Sequence, residues 1–318
     1  MNKRVIINIV FILFLSNILY SKDVKSIGLK SNDYELKPYV ATETEEHIPV
    51  KEPEKKQIVN TDDPIRGSIR FLDLFECKKL LYKRGIWIWL PEGYKEDFGP
   101  YSVIYFHDAQ NLFLPSKSFS GKDWKVDETI IDLMNKKQIR PTIVVGIPNS
   151  PARDEELNLA TKEGKYYCDF VINEIMPFVK ERFPVSKKVR DHIIAGSSMG
   201  GLMSFQMAFE HPDKFGGAIC MSSAFLRKLS NIINRVKTVK TPPLKTKFYI
   251  DSGDLETIPE EGFTENILDL YKEMKEVMKK AGFQEGINLK TWLEKGANHN
   301  EEAWAKRLPV AIQFMLKK

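Results

Sequence analysis

Gly196-Ser197-Ser198-Met199-Gly200 is a G-x-S-x-G pentapeptide, and its setting gives it chemical meaning. The apolar run His192-Ile193-Ile194-Ala195 before it reads as a buried strand, and Gly201 to Glu210 after it reads as a helix. A strand, a sharp turn and a helix in that order lift the central serine to the end of a sheet, with its hydroxyl exposed. The helix aims its first amides and the positive end of its dipole at the place where an oxyanion would develop. Glycines flank the serine because a side chain there would crowd the bend. Ser198 is therefore a candidate nucleophile for acyl transfer, and it needs a base and an acid to orient that base.

Two histidines follow it. His211, in Glu210-His211-Pro212-Asp213, closes the helix that starts at the serine, so it reads as a cap or surface residue far from the hydroxyl. His299, in Gly296-Ala297-Asn298-His299-Asn300, sits in a loop after the last expected strand and is the candidate base. The acid is expected between serine and histidine, and Asp251-Ser252-Gly253-Asp254-Leu255-Glu256 offers it. Spacing leaves Asp251, Asp254 and Glu256 all open. One oxyanion N–H belongs to Met199, the residue after the nucleophile. The other is expected from His107-Asp108-Ala109-Gln110-Asn111, at Ala109 or Gln110. An Arg153–Glu156 pair near the site would orient substrate or form a loop salt bridge, and Trp124 and Trp304 would line a cleft or fill a core.

The elements that position these residues alternate from about Gly67 onward. Strands are expected at Ile69–Leu72, Ile86–Leu90, Ser102–Phe106, Thr142–Ile147, His192–Ala195, Gly217–Met221, Lys247–Ile250 and Leu289–Leu293. Amphipathic helices are expected at about Val126–Lys137, Tyr166–Phe183, Leu202–His211, Asn266–Ala281 and Glu301–Leu316. Short apolar runs separated by helices imply an α/β fold, a mostly parallel central sheet with helices on both faces.

With 318 residues the chain can hold one large α/β domain, placed at 66–318. Met1-Asn2-Lys3-Arg4 followed by an apolar run to Tyr20 reads as a signal peptide, residues 1–21, cleaved after Ser21. That puts the domain outside the cytoplasm, periplasmic or secreted, with no membrane span after cleavage; the alternative is a retained anchor. Residues 22–65, rich in Lys, Glu, Thr and Pro, read as a flexible linker. The net charge of +5, nearer +3 without Lys3 and Arg4, is too small and too interspersed for a nucleic-acid partner. Cys77, Cys168 and Cys220 allow at most one disulfide, and their spacing is not that of a metal site.

Together these blocks resemble the Putative esterase family, α/β-hydrolases that include enterochelin esterases, esterase D, feruloyl and acetyl-xylan esterases and mycolyltransferases. The resemblance is carried by Tyr105-Phe106-His107-Asp108-Ala109-Gln110-Asn111-Leu112-Phe113 and by Val145-Gly146-Ile147-Pro148-Asn149 with Arg153 and Glu156. It continues through Ala195–Gly201, His211-Pro212-Asp213-Lys214-Phe215-Gly216, Tyr249–Gly253 and Asn298-His299-Asn300-Glu301. It implies the α/β-hydrolase fold, a serine esterase mechanism and no metal or organic cofactor. It also implies Glu256 as the acid, from a pattern resembling D-x-G-x-x-[DE], with Asp254 as second choice. Ala109 and Leu157 depart from the glycine and the aromatic residue usual in the family. The expected substrate is an ester of a siderophore or an acylated polysaccharide. The alternatives are an acyltransferase of the same fold and a non-catalytic carbohydrate- or siderophore-binding module.

Overall fold

The computed structural model describes residues 56–57, 65–75, 77–259 and 262–318. The expected signal peptide lies outside the described residues, as does most of the linker. Within the linker stretch, β1 (Lys56–Gln57) pairs antiparallel with β2 (Ser68–Phe75).

The sheet continues with β3 (Arg84–Leu90), β4 (Ser102–His107), β5 (Thr142–Ile147), β6 (His192–Ser197), β7 (Gly217–Met221), β8 (Lys247–Gly253) and β9 (Leu289–Glu294). Its order is β1-β2-β3-β5-β4-β6-β7-β8-β9. From β5 to β9 all pairs are parallel, and β3 joins β5 antiparallel. The fold class is the expected one, an α/β-hydrolase sheet covered on both faces. Strand β3 shows why the sheet needs two covers. Ile86, Ile88 and Leu90 point into one core while Trp87 and Trp89 point into the other. One core is closed by the helices Met199–Glu210 and Ile267–Lys280, and by a run from Lys162 to Arg182. The other is closed by Val126–Asn135 and Glu301–Leu316.

The run from Lys162 to Arg182 departs from one regular helix. Val171–Ile175 is a π turn ahead of Pro177. Proline lacks the N–H that would continue the ladder and crowds the preceding turn, so the helix widens there. The helix Ile232–Thr238, which sequence reasoning did not foresee, is short and covers one core edge with Ile232, Ile233 and Val236.

The parallel strands reverse direction of progression at β4: β5 lies on one side and β6 on the other. The loops after β4 and β6 therefore leave the sheet side by side at the C-terminal ends of adjacent strands, the switch point where open α/β sheets bind ligands. No helix among the described residues is long and apolar enough to cross a membrane.

Where the helix Val126–Asn135 begins, Asp127 is buried and accepts the Arg66 N–H at 2.8 Å, tying the start of β2 to the helix. Asp123 and Glu128 crowd it, with carboxylate oxygens within 4.8 Å of one another. Burial, then the hydrogen bond and charge of Glu128, push the Asp127 carboxyl up to about 8. The folded protein thus keeps a proton that the unfolded chain loses near pH 4, so stability falls as pH rises from about 4 to about 8. Melting temperatures measured from pH 5 to 8.5 are expected to decline in wild type and to stay flatter in Asp127→Asn. Equal slopes in the two proteins would refute the shift.

Candidate active site

Ser198 stands between β6 and the helix Met199–Glu210 with φ 53° and ψ −119°, a conformation that L residues avoid. Two bonds hold it there: its N–H donates to Met221 O and its carbonyl accepts the Ala224 N–H, both at 3.0 Å. The bend is so tight that a Cβ on Gly196 would lie 2.6 Å from the carbonyl carbon of Gly200, which explains the glycine. The amides of Met199, Gly200 and Gly201 precede the first helical bond, Leu202 N–H to Ser198 O, and have no partner in the helix.

The described histidines differ sharply in surroundings. His107 is buried against Tyr167, Nδ1 to hydroxyl 2.7 Å, and burial pulls its pKa down to about 4. His192 is buried between Tyr105 and the Ser186 carbonyl, and burial lowers its pKa too. His211 caps the C-terminus of the helix that begins at Met199. His299 alone among them bonds a carboxylate, Nδ1 to Glu256 Oε2 at 2.9 Å. Its side chain is 28% exposed while that of Glu256 is 1% exposed, so the ring reaches toward solvent from a buried anchor. The N-cap of the last helix fixes its backbone: Asn300 Oδ1 accepts the Ala303 N–H at 3.0 Å, and His299 immediately precedes that cap.

Three carboxylates were open on spacing, and the structure gives each a different partner. Glu256 meets His299. Asp254 accepts the Gly296 N–H at 2.6 Å and props the loop that leads to the histidine. Asp251 is fully buried and accepts Arg307 Nε at 2.8 Å and the Tyr249 hydroxyl at 2.9 Å. Glu256 Oε1 further accepts the Gly253 N–H and the Ser222 hydroxyl, both at 2.7 Å. Burial opposes its ionisation, but the bonds from His299, Gly253 and Ser222 prevail and hold its carboxyl below the usual range.

On the neighbouring strand, Asp108 follows β4 with φ 57° and opens the turn Ala109–Asn111. The ladder of that turn starts with Asn111 N–H to Asp108 O and Leu112 N–H to Ala109 O. The amides of Ala109 and Gln110 therefore stand at its start without a partner inside it. Gln110 also accepts the Asn149 N–H through Oε1 at 3.4 Å.

Two expectations need correcting. Arg153 does not pair with Glu156. It grips Asp108 in a two-pronged pair, Nε to Oδ1 and Nη2 to Oδ2, each 2.8 Å. Glu156 turns inward to Arg84, 2.6 and 2.9 Å, and to Ser150 at 2.8 Å. Arg153 and Glu156 are close in sequence, but the short helix Arg153–Glu156 sends their side chains to different partners. Trp124 does not line a cleft: it is 2% exposed and packs against Phe106 and Trp304. Trp304 is buried as well, edge-to-face with His299 at 5.0 Å between centroids. Sequence reasoning missed Ser222, and it missed Arg307, whose only signal is a charge on the buried stripe that holds Trp304, Leu308, Ala311 and Met315. The cysteines are buried and unpaired.

The Putative esterase family matches residues 78–315. The chain belongs to that family. Its chemistry is that of carboxylic ester hydrolases. The Bacillus subtilis (strain 168) protein YbbA is 21% identical over 245 residues, 73% of this chain and 92% of the relative. An acetyl esterase of Caldicellulosiruptor saccharolyticus is 31% identical over 126 residues, 37% of this chain and 44% of that enzyme. Among solved structures, the enterobactin esterase of Shigella flexneri superposes with a TM-score of 0.62 at 16% identity. That match covers 78% of this esterase but only 58% of the Shigella chain. A ferulic acid esterase superposes with a TM-score of 0.62 at 18% identity, covering 79% of this chain and 98% of that one.

The usual family glycine is Ala109 here, and the structure shows how alanine fits. The left-handed residue of the loop is Asp108, so position 109 needs no glycine. The Ala109 methyl group occupies space left by Gly146 on β5, where an added Cβ would approach it to 2.8 Å. Gly146→Ala is expected to destabilise by about 1–3 kcal/mol, and Ala109→Gly in the same chain to recover most of that. A double-mutant cycle by chemical denaturation reads the coupling; purely additive effects would break the link between the two positions.

Proposed function

We propose that this family member is a serine esterase in which Ser198 attacks the ester carbonyl, His299 takes its proton and Glu256 orients the histidine. The observation that carries the reading is the 2.9 Å bond from His299 Nδ1 to the buried Glu256, at the same end of the sheet as the strained serine. With Nδ1–H committed to the carboxylate, Nε2 is the basic nitrogen. The amides of Met199 and of Ala109 or Gln110 bind the oxyanion. His299 then protonates the leaving alcohol, and water clears the acyl-enzyme. Arg153 serves by fixing Asp108 at the head of the oxyanion loop, because its guanidinium is already engaged there.

Hydrolysis of p-nitrophenyl acetate by the full chain is expected to fall by about 10³-fold or more in Ser198→Ala and His299→Ala. Undiminished turnover by Ser198→Ala would remove that serine as nucleophile.

For substrate, the reading is a short acyl or aroyl ester on a polysaccharide. It is supported by the likeness to an acetyl esterase and by the near-complete coverage of a ferulic acid esterase. Release of acetate or ferulate from acylated xylan is the expected result. Turnover of enterobactin with none of xylan would favour the siderophore ester suggested by the Shigella structure.

An extracytoplasmic location is supported by the basic start and apolar run of residues 1–21. Protein recovered after expression in bacteria is expected to begin at Lys22, and N-terminal sequencing that finds Met1 on the exported protein would overturn cleavage.

A further inference from the structure

Ser222 follows β7 and, like Ser198, adopts a left-handed conformation, with φ 41°. Its side chain is fully buried, and its hydroxyl makes every bond a hydroxyl can make. It accepts Trp304 Nε1 at 3.0 Å and Arg307 Nη2 at 2.7 Å. Both of those groups are obligate donors, so the hydroxyl proton must point to its third partner, Glu256 Oε1, at 2.7 Å. Trp304 and Glu256 both contact His299, one across its ring and one at Nδ1. A single oxygen thus ties together these two neighbours of the histidine.

The residue is clamped from behind. Its N–H donates to Asp251 Oδ1 at 2.8 Å, and Asp251 Oδ2 accepts Arg307 Nε at 2.8 Å. Arg307 returns to the Ser222 hydroxyl, so the ring Ser222–Asp251–Arg307–Ser222 closes on itself. Arg307 and Asp251 have no exposed side-chain surface. A closed ring of buried charged bonds is an expensive way to hold a serine in a left-handed conformation, and the Ser222 hydroxyl spends all its bonds on Glu256, Trp304 and Arg307.

We propose that Ser222 and Arg307 are positioning residues for the esterase reaction: they orient Glu256 and Trp304 so that the His299 ring is held for proton transfer. This inference rests on the Ser198–His299–Glu256 reading. Ser222→Ala keeps the backbone preference nearly unchanged while removing the hydroxyl. Glu256 Oε1 then keeps only the Gly253 N–H, and the Trp304 and Arg307 donors lose their acceptor.

The test is steady-state hydrolysis of p-nitrophenyl acetate by the full chain, with functional sites counted by stoichiometric fluorophosphonate labelling. For Ser222→Ala, kcat per labelled site is expected to fall about 10- to 100-fold, the scale of a lost outer-shell bond, with KM unchanged. Arg307→Lys keeps a cation but cannot fork between Asp251 and Ser222, and the same kcat-only loss is expected. It serves as the second variant should Ser222→Ala fail to fold. A purely structural role would lower the labelled fraction and melting temperature while leaving kcat per site within about twofold of wild type, and that result overturns the proposal. Ser198→Ala run beside them separates the two ideas. If it retains wild-type activity, the esterase reading itself fails; if it is inactive while both variants keep wild-type kcat, only the positioning role fails.

Discussion

The constraint on which the site depends is a carboxylate that stays ionised with almost no access to water. Glu256 has 1% of its side chain exposed, and its carboxylate accepts hydrogen bonds from Gly253 N–H, the Ser222 hydroxyl and His299 Nδ1. Burial alone would raise its pKa and make it a poor partner for an imidazole. The donors reverse that, and they come from three different segments: the end of β8, the end of β7 and the loop before the last helix. The sheet has to be assembled, with its parallel strands in register, before the carboxylate can exist as an anion there. Folding and the competence of the histidine are in this sense one event.

A second regularity follows from the strand ends. β4, β6 and β7 are neighbours in the sheet, and each is followed by a non-glycine residue with positive φ: Asp108 at 57°, Ser198 at 53° and Ser222 at 41°. Such conformations persist only where surrounding bonds over-determine them. Each is held differently: Asp108 by the Arg153 fork, Ser198 by backbone bonds to Met221 and Ala224, and Ser222 by Asp251 and Arg307. The strand ends turn abruptly there, which keeps Asp108, Ser198 and Ser222, the proposed oxyanion loop, nucleophile and support of the acid, at the ends of three neighbouring strands.

These particulars explain what the sequence disclosed and what it withheld. Short apolar runs place β5 and β7, and a helical pattern places Glu301–Leu316, at the expected residues, because burial on one or both faces leaves its mark locally. The elbow is legible for the same reason: Gly196 is demanded by an atom four residues away. Side-chain partners across the fold are not local. Glu156 is three residues from Arg153 yet bonds Arg84, 72 positions earlier, and Ser222 meets Arg307 across 85 residues. Ala109 looks like a defect until Gly146, on the next strand, is seen to make room for it. What decides such pairings is the order of strands in the sheet, and no spacing rule along the chain encodes it.

The charge balance of the buried cluster bears on how the site would work. Asp251 accepts from Arg307, Tyr249 and the Ser222 amide, and burial nonetheless raises its carboxyl above the usual range. Two carboxylates, Asp251 and Glu256, face one guanidinium, Arg307, which lies 2.8 Å from the first and 3.8 Å from the second. With both carboxylates ionised, the cluster would be one positive charge short while His299 is neutral. In the proposed mechanism the imidazolium formed by the serine proton would supply that charge, 2.9 Å from Glu256. An environment unbalanced in the ground state and balanced when proton transfer is complete stabilises the transition state more than the substrate complex, which is the condition for faster turnover rather than tighter binding. Arg307 has to stay close to Asp251 and slightly remote from Glu256 for this to hold. Were it to neutralise Glu256 outright, the imidazolium would gain little, and the interposed Ser222 hydroxyl is what keeps the two apart.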